Sequence, residues 1–315
     1  MTTSSDSSAF IAKHPDTLIV LLGPTGVGKT KISFSLAERY DAPVISSDSR
    51  QFYRELKIGT AAPTDQELSL FKHYFIGSHS VFDVYNAGTY EQDVLNLLSE
   101  LFMRNRVALL VGGSMMYIDA VCNGMDDIPS VNDEIRTQCQ QLYAENGLAH
   151  IQNELKILDP EYYSQVDLQN YKRVLHALEI CMQTGQPYSL LRKGQKKQRN
   201  FNILKIGLNR PRPELYERIN QRVDMMMEAG LLQEASRFYN HRHLNTLNTV
   251  GYKELFDYME GKCTLEEAVQ MIKQDSRRYA KRQLTWFNRD KDISWFHPDD
   301  VAGVIRFINE TLDLE

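Results

Sequence analysis

Lys29 and Thr30 close an eight-residue run, Gly23-Pro24-Thr25-Gly26-Val27-Gly28-Lys29-Thr30, that fits G-x-x-x-x-G-K-[ST] at every fixed position. Glycines let backbone N–H groups converge on an anion, and the start of a following helix adds partial positive charge. Lys29 supplies a full charge, and the Thr30 hydroxyl suits Mg²⁺. The run therefore reads as a di- or triphosphate site of the kind found in ATP-binding proteins. Asp48 is a second candidate. It follows the short apolar run Pro43–Ser47 and precedes Ser49-Arg50-Gln51. In an open parallel sheet, ligands lie beyond the carboxyl ends of the strands, so Asp48 would share a rim with the phosphate loop. A carboxylate capping a helix is the alternative. Third, Gly112-Gly113-Ser114 follows the apolar run 106–111. Phosphoryl-transfer enzymes of this loop class usually hold Mg²⁺ with an Asp at that point. A glycine pair and a hydroxyl suit close approach to a phosphate or a linking oxygen, or form a plain turn. The missing acid counts against an ordinary ATPase or kinase.

Positive charge is placed locally. Arg222 lies on or beside a helical stripe of Leu215, Ile219, Val223 and Met226. A charge there requires a partner, either a carboxylate or a bound phosphate. Arg192 to Arg199 holds five basic residues in eight, which is a solvated loop or a contact to a nucleic-acid backbone. Arg277 to Arg289 reads as a basic, aromatic helix. Its Arg277/Lys281 and Arg278/Arg282 pairs repel unless an anion lies nearby. Tyr279, Arg282 or Gln283, and Trp286 share one side, as suits nucleic acid, although Trp286 also fits a core.

The positioning elements follow from the apolar pattern. Leu18–Leu22, Pro43–Ser47, 106–111 and Asn202–Leu208 read as strands. Lys31–Tyr40, Tyr90–Arg104 and Glu214–Ala229 read as helices, with Pro213 suited to the first turn of the last and Gly230 as its stop. Residues 55–90 suggest loops with a short strand. From about Gly124 the alternation of strand and helix stops, and Ile135–Tyr143, Leu148–Leu158 and Val174–Met182 all have helical spacing. Asn248 to Lys253 is a glycine loop entering a helix. The pattern predicts an α/β fold: a P-loop core with a parallel sheet, residues 1–124 and 201–315, plus a helical insertion domain over 125–200.

The chain has 315 residues and a net charge of −5, so a nucleic-acid site must be a local patch. Its four cysteines, Cys122, Cys139, Cys181 and Cys263, form no C-x-x-C pair and indicate neither a zinc site nor a disulfide framework. No apolar run reaches membrane-spanning length. These features suggest reduced thiols in a cytoplasm, and Met1–Ser8 reads as a disordered tail.

Taken together, these blocks resemble the bacterial tRNA dimethylallyltransferases (tRNA isopentenyl transferases). The blocks are Gly23–Thr30, Ile45–Tyr53, Ile58–Ala61, Leu110–Tyr117, Pro129–Arg136, Val250–Glu254 and Ala280–Trp286, in the family's order across residues 18–296. The resemblance implies transfer of a dimethylallyl group from dimethylallyl diphosphate to N6 of the adenine just 3′ of the tRNA anticodon. Diphosphate leaves, Mg²⁺ assists, and the chain is a cytoplasmic monomer.

It further implies that Gly23 to Thr30 hold a diphosphate, with Thr30 toward Mg²⁺ and Lys281 and Arg282 as further cations. Asp48 matches the family's general base, Arg222 a cation at the diphosphate, and Ser114 a hydroxyl on the linking oxygen where the family usually has Thr. Ser49, Arg50, Gln51, Arg136, Lys172, Arg173, His176, Gly251, Tyr252 and Lys253 match tRNA-contacting positions. His176 stands where the family usually has Arg. Three other readings compete: a small-molecule kinase, a prenyltransferase acting on free adenine nucleotides, and a non-enzymatic RNA-binding module. The absent strand-end acid opposes the first. The basic insertion opposes the second. Asp48 on the rim of a phosphate loop opposes the third.

Overall fold

The structure is a computed structural model and describes residues 16–313. The tail expected at Met1–Ser8 lies outside them. A six-stranded sheet has the order β3-β2-β4-β1-β5-β6, and all five pairings are parallel. The strands are β1 (Thr17–Leu22), β2 (Val44–Ser46), β3 (His73–Tyr74), β4 (Val107–Gly112), β5 (Asn202–Leu208) and β6 (Ile293–Phe296).

β1 is covered on both faces, which is why it reads as an unbroken apolar run. Its residues alternate between two cores. Ile19 and Leu21 join one core with Ile32 and Leu36 of α1 (Lys29–Tyr40), Leu215 and Ile219 of α9 (Arg212–Glu228), and Val304 and Ile308 of α13 (Val301–Thr311). Leu18, Val20 and Leu22 join the other with Tyr90, Val94 and Leu98 of α3 (Ala87–Leu101) and Ile118 and Val121 of α4 (Met115–Asn123).

The register fixes the rim. Leu22 pairs with Gly112 and Ser46 with Val111, so the chain leaves β1, β2 and β4 at one edge. The loops after β2 and β4 are stitched there by Ser47 N–H to Val111 O (2.8 Å) and Ser114 N–H to Ser47 O (3.2 Å).

Several elements differ from the sequence reading. Helix α3 begins at Ala87, because Asn86 accepts from the N–H groups of Gly88 and Thr89, and it ends at Leu101 rather than Arg104. The stretch 55–90 contains α2 (Asp65–Leu70), closed by a Thr64/Glu67 capping box, and the two-residue β3. Strand β6 has no sequence signal of its own, since Ile293-Ser-Trp-Phe296 lacks an unbroken apolar run, and it exists by pairing with β5. The basic helix is the last half of a longer α12 (Leu265–Phe287).

The described chain forms two compact units. One comprises the residues up to Cys122 together with those from Arg199. The other is Asn123–Gln198, built from α5 (Asp133–Leu158), α6 (Pro160–Gln165), α7 (Tyr171–Thr184) and α8 (Tyr188–Leu191) around Cys139, Ile151, Leu155, Val174 and Leu178. Gly147, at φ 76°, breaks α5 between the two helical runs read from the sequence. Arg199 does not extend the exposed basic strip. Its side chain is buried in the first unit, paired with Glu91 at 2.8 Å and donating to the carbonyls of Ala120 and Val121. Among the described residues, no helix is long and apolar enough to cross a membrane.

Candidate active site

A cavity of about 340 Å³ opens at the sheet rim. Its polar wall includes Thr25, Asp48, Arg50, Arg222, Tyr279 and Arg282, and its apolar wall includes Ile219, Val223, Met226, Leu231 and Ile272. All belong to the first unit.

The phosphate loop turns directly from β1 into α1. Gly26 has φ 78°, and a Cβ there would lie 2.8 Å from Ile219, so both conformation and space require glycine. The Lys29 Nζ donates to the carbonyls of Gly23 and Pro24, each at 3.0 Å. Desolvation lowers its pKa to about 8, with Asp48 opposing the shift and Arg222 adding to it. Thr30 is exposed, whereas Pro24 and Val27 are buried. The side chain of Val27 belongs to the core, so its part in the loop is its backbone.

Asp48 does not cap a helix, because turns follow it. One carboxylate oxygen accepts the Arg50 N–H at 3.1 Å. Arg222 makes no ion pair with a carboxylate among the described residues; it donates to the Thr60 carbonyl at 3.3 Å. Burial pulls its pKa down, and Asp48 offsets part of that. Of the two partners the sequence allowed, the carboxylate is absent and the cavity remains.

The other expected residues divide. The Ser114 hydroxyl is buried, accepts from Ser49 N–H (2.8 Å) and donates to the Ser49 hydroxyl (3.0 Å). It also meets Tyr279, whose hydroxyl is pushed up to about 12, chiefly by burial. Ser49, Arg50, Gly251 and Lys253 line the cavity. Arg50 donates to Thr246 O, and Lys253 pairs with Asp275 at 2.9 Å. The Gln51 amide is committed to the carbonyls of Thr60 and Ala61. Lys281 and Arg282 are both exposed, but Arg282 lines the cavity and Lys281 does not, since adjacent helical positions point about 100° apart. Tyr252 departs from the expected RNA contact. It is fully buried and donates to Glu234 at 2.6 Å, so its side chain cannot meet an RNA. Trp286 is packed against the core and donates to Asp119 at 2.8 Å.

Arg136, Lys172, Arg173 and His176 lie in the second unit and do not line this cavity. Arg136 is exposed, 3.7 Å from Asp133. Lys172 and Arg173 are exposed in the first turn of α7, and His176 lies 3.7 Å from Glu179. Lys193 and Lys196 are exposed, and Lys197 bonds Asp127 at 2.7 Å.

Sequence reasoning missed two features. Gln283, only 2% exposed, accepts the Thr25 N–H (2.9 Å) and donates to Gly113 O (2.8 Å), bracing the phosphate loop against the turn after β4. Its signal was a polar residue on the buried stripe of Ala280 and Phe287. Arg210 and Arg218 donate to the carbonyls of Val27 and Gly26, holding the loop from outside. Arg210 lies in Arg210-Pro211-Arg212-Pro213, whose two prolines read from the sequence as a rigid connector with no site role. The oxygen donors fit a hard cation: Thr30 offers an exposed hydroxyl, and Mg²⁺ needs few protein ligands when phosphate oxygens and water complete its shell.

A model of the family described as IPP transferase matches residues 51–290. The chain is 55% identical to tRNA dimethylallyltransferase 2 of Parabacteroides distasonis, over 94% of this chain and 99% of that one. It is 54% identical to tRNA dimethylallyltransferase 1 of Bacteroides fragilis, over 94% and 98%. Among solved structures it is similar to a full-length tRNA isopentenylpyrophosphate transferase from Bacillus halodurans, with TM-score 0.69, 35% identity and coverage of 95% and 97%. It is also similar to a eukaryotic dimethylallyltransferase acting on tRNA, with TM-score 0.79, 26% identity and coverage of 95% and 80%.

Proposed function

The chain belongs to the IPP transferase family, and from this premise we propose how its cavity works as a tRNA prenyltransferase. The donor is dimethylallyl diphosphate, and the acceptor is N6 of the adenine just 3′ of the anticodon. The observation that carries this reading is the cavity itself. It combines Thr25 of the phosphate loop, the Asp48 carboxylate, the three arginines Arg50, Arg222 and Arg282, and an apolar wall, which together suit a diphosphate ester with a short hydrocarbon and an amine that must lose a proton.

An exocyclic adenine amine is a weak nucleophile because its lone pair is delocalised into the ring. Asp48 accepts its proton as the new C–N bond forms, a contribution of roughly 10²–10⁴-fold. The bond from carbon to the diphosphate oxygen breaks, and negative charge grows on the leaving group. Loop N–H groups, Lys29, Arg222 and Arg282 meet that charge, with Lys29 exchanging its bonds to the Gly23 and Pro24 carbonyls for the diphosphate. Thr30 would hold Mg²⁺, which when bound neutralises diphosphate charge. The target base must leave its stack to reach the cavity, and exposed cations of the second unit meet tRNA phosphates.

The test is incubation with labelled dimethylallyl diphosphate and unmodified tRNA. Label is expected in N6-(dimethylallyl)adenosine beside the anticodon. Label in free adenine nucleotides instead, or none in RNA, would overturn the reading.

A further inference from the structure

Glu234 of α10 (Leu231–Ser236) is 6% exposed and has no basic partner among the described residues. Its carboxylate accepts three consecutive backbone N–H groups, those of Lys57 (3.0 Å), Ile58 (2.9 Å) and Gly59 (2.9 Å), and the Tyr252 hydroxyl at 2.6 Å. A buried carboxylate is tolerated when hydrogen bonds of this kind satisfy it. Gly59 is required for the closure: a Cβ there would lie 2.5 Å from the Tyr252 oxygen. Gly59 and Thr60 of the same loop line the cavity. Thr60 O accepts from Arg222 and from Gln51, each at 3.3 Å. No carboxylate pairs with Arg222 among the described residues, so this loop is its hydrogen-bonded anchor.

We propose that Glu234, with Tyr252, is a positioning residue for the transfer step: it clamps the loop from Lys57 to Thr60 so that the Thr60 carbonyl holds the Arg222 guanidinium in the cavity. Tyr252 thereby gains a role other than RNA contact, and the Ile58–Ala61 and Val250–Glu254 blocks become two halves of one device. The proposal rests on reading Arg222 as a diphosphate cation.

The conservative change Glu234→Gln places an amide against a row of N–H donors and releases part of the loop. Misplacing a reacting group by about 1 Å costs on the order of 10²-fold. The single-turnover rate with saturating dimethylallyl diphosphate is therefore expected to fall by about that factor per folded molecule, while the KM for tRNA stays within about twofold. Tyr252→Phe removes one donor of four, keeps the ring, and should lose about tenfold. It carries the test should Glu234→Gln not fold.

The deciding measurement is a double-mutant cycle with Arg222→Ala. If Glu234 acts through Arg222, either variant should be almost silent in that background. Effects that simply multiply, or a wild-type rate per folded molecule in both single variants, would overturn the proposal and leave only a structural role. A wild-type enzyme that transfers no label to tRNA would instead sink the functional reading beneath it, so the two failures are distinguishable.

Discussion

Arg222 and Lys193 are both cations without an ion-pair partner among the described residues, yet they stand in opposite environments. Arg222 is half-buried beside Asp48 and Lys29, and its acidity is altered by the site. Lys193 is exposed on the second unit, in a strip where Lys197 is paired with Asp127. In the cavity the dielectric is low and geometry is fixed, so each charge acts at one point on a ligand. On the strip, solvent and salt screen each charge, and only their number matters. On the function proposed above, the first unit discriminates among bound states and the second attracts a polyanion.

The comparison is tested most severely at Asp48. Asp48→Asn keeps size and hydrogen bonding but removes basicity. Single-turnover prenylation of an anticodon stem-loop should fall by roughly 10²-fold or more, with little change in affinity for either substrate. A rate within about threefold of wild type would reject the proton-accepting role, because that is far below the loss expected of a missing base.

A smaller effect is expected from pH. Lys29 titrates at about 8 in the folded protein against an ordinary 10.5. The folded state therefore releases this proton first, so the contribution of Lys29 to stability is present above the unfolded value and is lost as pH falls through about 8. Diphosphate binding needs the charged form. Affinity should weaken above pH 8, by up to about tenfold per pH unit, and binding should take up a proton there. Calorimetry in buffers of different ionisation enthalpy measures that uptake directly. None in the wild type, or equal uptake in Lys29→Met, would contradict the assignment.

The smallest effect belongs to the strip. Lys193→Ala with Lys196→Ala should lower the slope of log affinity for tRNA against log salt by about 2 and leave the rate at saturating tRNA unchanged. Adding Lys197→Ala should do little more, since Asp127 already neutralises that charge. An unchanged slope would mean that the strip is only solvated surface.

The sequence by itself determined what is local. Eight residues with fixed spacing specify the phosphate loop. Unbroken apolar runs specify strands covered on both faces, and helical spacing marks most of α1, α3, α5, α7 and α9. Each of these signals comes from neighbours a few residues apart. Tertiary structure decided whatever depends on partners distant along the chain. Strand β6 exists because β5 pairs with it. Arg199 leaves a basic strip because Glu91 and two carbonyls wait inside the first unit. Lys281 and Arg282 are alike in sequence but diverge because the cavity lies on one side of α12. Tyr252 turns inward because Glu234, 18 residues earlier, accepts the hydrogen bond from its hydroxyl. Gln283 braces a loop 258 residues away. Spacing along a helix or strand fixes the direction of a side chain relative to its neighbours, but which partner lies in that direction is fixed only when the sheet order and helix packing bring distant segments into contact.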